Sequence, residues 1–220
     1  MTMIDAAAPS TARLWVEFTA LFIGVPLAMA ATAGLYPLFP VIIGLAVLAC
    51  FLLYLTPGFR FAQLWKGPVL GEWRLIAVYA ALTLANCLIF IFALAPERFL
   101  ELPLNRPELW IMIMAFYPLL SALPQEVIYR SLFFERYGRL FPNAWMAIAV
   151  NGAVFGFGHL FYENWVTIAL TACGGAIMGW AYLRNRSMLL AWVLHSISGQ
   201  IIFTVGLGIY FYHGAVGSTP

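Results

Sequence analysis

Charge is scarce in this chain. Of 220 residues only 9% are Asp, Glu, Lys or Arg, against 64% hydrophobic and 16% aromatic side chains, and the mean hydropathy is +0.91. Soluble domains carry about 25% charged residues, so the composition excludes an ordinary soluble domain and reads as an integral membrane protein. The formal net charge of +2 comes without a Lys/Arg block, which removes the electrostatic footprint of a nucleic-acid-binding protein. Cysteine is scarce too. Cys50, Cys87 and Cys173 each fall in an apolar run with no CxxC or Cys/His zinc spacing, and are read as small hydrophobes packed between helices. HExxH, P-loop and GxSxG strings are missing, so zincin, NTPase and α/β-hydrolase readings have nothing to rest on. Period-2 alternation is missing as well, which argues against a membrane β-barrel.

What the chain has is long apolar runs. A membrane helix needs about 20 apolar residues to span ~30 Å at 1.5 Å per residue. Seven segments qualify: 13–33, 37–56, 73–95, 109–135, 143–161, 165–183 and 188–212. The fold expected is an all-α polytopic membrane bundle of about seven transmembrane helices. The stretch Met1 to Ala12 carries Asp5 and lacks the basic region of a signal peptide, so the first apolar helix is expected to be retained.

Cytoplasmic loops are enriched in Lys and Arg, and the loops divide accordingly. Arg13, then Arg60, Lys66 and Arg74, then Arg136 and Arg139, then Arg184 and Arg186 all fall on one side. The other side receives the Gly34-Leu35-Tyr36 turn, the mixed loop from Glu97 to Glu108 with Arg98 and Arg106, Glu163, and an uncharged tail. This predicts a cytoplasmic N-terminus and a C-terminus outside. No linker separates independent domains, so residues 1–220 are read as one integral-membrane domain, with N-terminal helices over 1–108. The segment Thr56 to Trp73 mixes Arg60 and Lys66 with Phe59, Phe61, Leu64 and Trp65. It reads either as an interfacial amphipathic element or as a plain loop.

Against this background the string Gln125-Glu126-Val127-Ile128-Tyr129-Arg130 is conspicuous, because ionised groups at membrane depth are costly and are usually paired and functional. On a helix Glu126 and Arg130 are i, i+4 neighbours and can pair. Such a pair can be purely structural, clamping neighbouring helices. Gln125 points about 100° away from Glu126, so it can face a cavity while its neighbour holds the scaffold. His159 and His195 also fall inside apolar spans and raise the prospect of a polar site shared between spans 4, 5 and 7. His213 reads as interfacial. Gly152 and Gly156, and again Gly175 and Gly179, have the GxxxG spacing of closely approaching helices. By helix rise His195 lies nearer the inner end and His159 nearer the outer end, so a shared site requires tilted helices or breaks near Pro124, Gly156 and Gly158.

In order along the chain, Gln125-Glu126-x-x-x-Arg130, Phe155-x-x-x-His159 and His195 resemble the EExxxR, FxxxH and HxxxN pattern of the CPBP family of intramembrane proteases. That family includes the Ras-converting CAAX endopeptidase and the bacterial Abi proteins. The resemblance covers about residues 109–212, which it marks as a catalytic core. It implies that residue 125 and His159 activate a water, that His195 steadies the oxyanion, and that Glu126 and Arg130 support the site, with Phe155 in the FxxxH motif. The sequence departs from the family at two places. Gln125 stands where the family has the basic Glu, and an amide cannot take up the proton. Gly199 stands where the family has Asn, so Ser196, Ser198, Gly199 itself or Gln200 is left to supply an oxyanion donor.

The reading implied is an intramembrane glutamate-type endopeptidase without a metal or other cofactor. Its substrate would be a membrane-anchored protein or peptide cut near its C-terminal or juxtamembrane segment, in a lipid bilayer expected to be a bacterial inner membrane. It would be inactive as given, because Gln125 replaces the base. Zinc is disfavoured because Gln125 removes the anionic ligand from the two histidines. The alternatives are a natural pseudoprotease that binds hydrophobic peptides or partner helices, and a small transporter or lipid-binding bundle, which leaves the ordered motifs unexplained.

Overall fold

The computed structural model describes residues 9–33 and 35–211. Asp5, Gly34, His213 and the uncharged tail lie outside these described residues. The protein is an all-helical, polytopic membrane bundle. Each of the seven apolar runs is a helix: α1 (Thr11–Ala31), α2 (Leu38–Tyr54), α3 (Leu70–Leu94), α4 (Pro107–Leu140), α5 (Ala144–Tyr162), α6 (Trp165–Asn185) and α7 (Met188–Val205). Six are long and apolar enough to cross a membrane, while α2 has 17 residues.

Local chemistry sets the helix starts. The side chains of Ser10, Asn143, Asn164 and Ser187 cap α1, α5, α6 and α7 by accepting from backbone N–H groups that would otherwise have no partner. Pro107 opens α4, where its missing N–H costs nothing. Helix α4 has 34 residues, about 51 Å at the usual rise, and runs past the expected 109–135 at its C-terminal end. It widens into π-helical turns at Pro118–Ala122 and Val127–Tyr137. Pro118 and Pro124 remove two N–H donors from the regular ladder, and such wide turns are common at functional sites.

The extra turns of α4 are held by ion pairs. Arg136 donates to Glu17 of α1 at 2.8 Å and, just beyond α2, to Thr56 at 3.1 Å. Glu135 accepts from Tyr182 at 2.9 Å and lies 3.9 Å from Arg186, and Arg139 bonds the Pro9 carbonyl. The start of α1 and the ends of α2, α4 and α6 therefore share one end of the bundle. Between Thr56 and Trp73 the chain forms short 3-10 turns at Phe61–Trp65 and Leu70–Glu72, with Trp65 and Leu70 exposed.

Helices α5 and α6 pack backbone to backbone. A Cβ at Gly152 would lie 2.8 Å from the Ala172 carbonyl oxygen, and one at Gly156 would lie 2.8 Å from the Ala172 side chain. The glycines are the packing residues that their spacing suggests. The largest core cluster joins all seven helices around Phe22, Phe133 and Leu194. A smaller one joins the far ends of α3 and α7 around Cys87, Ile91 and Val205. Cys87 is thus a buried hydrophobe as expected, and Cys50 is half-buried against the main core. Cys173 departs from that expectation. It is exposed on a cavity wall instead of packed between helices, because α6 presents this face to open space. Helix α3 and the first half of α4 both pack on α7, and the gap between them is the mouth of that cavity.

Candidate active site

Glu126 and Arg130 are fully buried and lie 3.1 Å apart as an ion pair. The rest of the charge is dispersed locally. Arg130 donates to Asn151 of α5 at 2.6 Å, Asn151 donates to the Tyr129 carbonyl at 2.6 Å, and the guanidinium lies 4.9 Å from the Phe155 ring centroid. The other Glu126 oxygen meets His195 Nδ1 of α7 at 2.8 Å. One carboxylate therefore ties α4 to α7, while its guanidinium partner ties α4 to α5.

His159 comes to this cluster because the regular part of α5 ends just before it. The regular helix stops at Phe157 with Gly158 as its C-cap, and a single 3-10 turn, Leu160–Tyr162, follows. Tilted helices or breaks near Pro124, Gly156 and Gly158 were the expected routes to a shared site; α5 breaks at Gly158, and the approach there is tight. A Cβ at Gly158 would collide with the Tyr129 hydroxyl. His159 Nδ1 donates to the Phe155 carbonyl at 2.7 Å. Both imidazoles rest on the Phe155 ring, with centroids 4.9 Å away for His159 and 5.4 Å for His195.

These contacts define the ring chemistry. A carbonyl and a carboxylate accept hydrogen bonds, so in the neutral rings Nδ1 carries the proton and Nε2 keeps its lone pair. Gln125, His159 and His195 all line one cavity of about 1030 Å³. Gln125 Nε2 donates to Ser121 at 3.0 Å. Its side chain also borders a second, small cavity of about 70 Å³ between α1, α2 and α4, which His159 lines too. Val78 and Leu82 of α3 and Met112 and Phe116 of α4 are exposed and belong to the large cavity, so it opens sideways between these helices. It also reaches Leu35, Tyr36 and Phe39, at the end of the bundle away from the Glu17–Arg136 pair.

The four candidate donors on α7 separate. The helix is regular throughout. Ser196 bonds back to the Trp192 carbonyl at 2.7 Å and Gln200 donates to the Met114 carbonyl at 3.0 Å; neither borders the cavity. Ser198 and Gly199 do, and the Ser198 hydroxyl is engaged with Tyr79 at 2.6 Å and the Leu194 carbonyl at 2.9 Å. Sequence reasoning passed over Tyr79, Tyr117 and Asn151. A polar Asn inside an apolar span was a usable signal for the last, while the two tyrosines are indistinguishable by pattern from packing aromatics. Among the described residues no group of three His, Cys, Asp or Glu side chains is arranged to hold one metal ion.

Residues 107–199, which contain this whole polar cluster apart from Tyr79, match the family model described as type II CAAX prenyl endopeptidase Rce1-like. Over this segment, under half of the chain, the protein is similar to the CAAX protease family. This is the family whose motifs the sequence resembles, and its members are intramembrane proteases. No curated protein and no solved structure matches the chain.

Proposed function

We propose that the chain is an intramembrane glutamate-type endopeptidase whose general base is replaced by Gln125. The observation that carries this reading is the shared cavity, which residue 125, His159 and His195 line from three helices. With glutamate at 125, the carboxylate, assisted by His159 Nε2, would take a proton from a water whose oxygen attacks the peptide carbonyl, and would pass it to the leaving amine nitrogen as the C–N bond breaks. His195, as an imidazolium whose Nδ1–H is held and whose charge is balanced by Glu126, would donate its Nε2–H to the resulting oxyanion. The Gln125 amide bonds a serine hydroxyl, which can donate as readily as accept, so glutamate fits the same place with the hydrogen bond reversed.

The sideways mouth between α3 and α4 suits a membrane-anchored protein or peptide, cut near its C-terminal or juxtamembrane segment. We read residues 1–220 as one domain with 109–212 as its catalytic core, in a bacterial inner membrane with the N-terminus cytoplasmic. No cofactor is part of this reading. A second reading, a pseudoprotease that binds hydrophobic peptides or partner helices, is favoured by Gln125 itself.

The test compares the protein with its Gln125→Glu variant on a library of membrane-anchored peptides, following cleavage by mass spectrometry. A general base contributes roughly 10²- to 10⁴-fold, so cleavage should appear or rise by that factor in the variant and vanish when His159→Ala is added. It should survive a zinc chelator. Loss with the chelator and return with one equivalent of zinc would establish a metallopeptidase instead. Binding of the same peptides by both forms without cleavage by either would establish the pseudoprotease.

A further inference from the structure

Hydrolysis of an amide joins the water oxygen to the carbonyl carbon and moves negative charge onto the carbonyl oxygen, which needs more than one hydrogen-bond donor. Helix α7 offers His195 and then falls short, since Ser198 is engaged and Gly199 has no side chain. The missing donor stands on α4. Tyr117 lines the cavity, its ring lies edge-on to His195 with centroids 6.0 Å apart, and it is steadied from the other side by Phe203 at 5.7 Å. Among the described residues its hydroxyl has no hydrogen-bond partner. The Tyr79 hydroxyl of the same cavity, by contrast, is bonded to Ser198. A Cβ built on Gly199 would lie 2.5 Å from the Tyr117 hydroxyl oxygen and would run into the ring. The phenol therefore fills the space that a side chain at 199 would need, and glycine is the residue that lets it in.

We infer that the Tyr117 hydroxyl is a catalytic oxyanion donor, acting beside His195 in the place that a side chain from residue 199 would otherwise occupy. The inference rests on the endopeptidase reading. It converts Gly199 from a missing group into the complement of Tyr117, an exchange in which a donor on one helix is lost and a donor from its neighbour enters the same volume.

The test uses the full chain with Gln125→Glu, reconstituted in proteoliposomes with a cleaved membrane-anchored peptide. Tyr117→Phe removes one oxygen and keeps the ring. Removal of one oxyanion donor costs about 10²- to 10³-fold in kcat, so kcat should fall by that factor with KM nearly unchanged and the thermal midpoint held. Tyr117→Ala combined with Gly199→Asn should recover at least about tenfold over Tyr117→Ala alone, because the amide then supplies the donor from α7. Unchanged kcat in Tyr117→Phe, or a loss carried wholly by KM or by unfolding, overturns the Tyr117 role and leaves the peptidase standing. Absence of cleavage in the Gln125→Glu parent overturns both.

Discussion

Glu126 and His195, 69 residues apart in sequence, are joined by a 2.8 Å contact between a carboxylate oxygen and Nδ1 in the buried interior. The same carboxylate is the counter-ion of Arg130. The contact ties the support pair to an imidazole of the candidate site, so a charge retained for packing also sets a ring's orientation.

The first prediction follows from that sharing. Removing one partner of a buried pair leaves an uncompensated charge and costs about 3–5 kcal/mol, whereas replacing both with apolar groups is often nearly neutral. Glu126→Leu and Arg130→Met should each lower the thermal midpoint in detergent strongly. The double variant should lose less than the two singles together, with a coupling of at least about 1 kcal/mol. Additive losses would show that the two charges are compensated separately, by His195 and Asn151.

A second prediction concerns the floor under the two imidazoles. A Cβ at Gly175 would lie 2.8 Å from Phe155 Cδ1 and 2.9 Å from its Cβ, and Phe155 is 2% exposed with little room to retreat. Gly175→Ala should destabilise the protein by about 1–3 kcal/mol through overpacking. In the Gln125→Glu background it should also reduce cleavage, since both histidines rest on the displaced ring. Gly174→Ala is the control, because its Cβ would meet Met178 and Tyr79 no closer than 3.7 Å. Equal behaviour of the two variants in thermal unfolding and peptide cleavage would contradict the placement of Phe155.

How much of this was legible in the sequence depends on the range of the interaction. Hydropathy gave the seven helices, because each span must bury its own backbone in lipid and so carries its signal locally. The Glu126–Arg130 pair was legible for the same reason, being four residues apart on one helix. The Gly152 and Gly156 packing was legible because small residues leave a periodic trace. What escaped was contact between distant helices. Nothing local says that Glu126 reaches His195, that Asn151 receives Arg130, or that Tyr117 fills the space over Gly199. The end of α5 was legible only as one option. Gly158 was one of three places where a break, as an alternative to helix tilt, would help bring residues 125, 159 and 195 together, and the Tyr129 hydroxyl that leaves no room for a Cβ there comes from another helix.

Cys173 supplies the last prediction, because its position tests the cavity without reference to catalysis. Cys87 is 1% exposed within the smaller core cluster and Cys50 is half-buried, whereas Cys173 is exposed on the cavity wall formed by α6. Thiol modification follows access and thiolate character. N-ethylmaleimide in detergent should therefore add first and singly at Cys173, as read by intact and peptide mass, and Cys173→Ala should abolish this rapid addition. Prior binding of a hydrophobic peptide should slow the reaction if the peptide occupies the cavity. A bulky maleimide adduct should inhibit cleavage in the Gln125→Glu form, with Cys173→Ala insensitive to the reagent. Rapid labelling that bound peptide leaves unchanged would mean that substrates enter elsewhere, and the gap between α3 and α4 would then lose its role as the entrance. Preferential labelling of Cys87 would go further, since it would require the α3–α7 contact to be open and the cavity wall to be arranged differently.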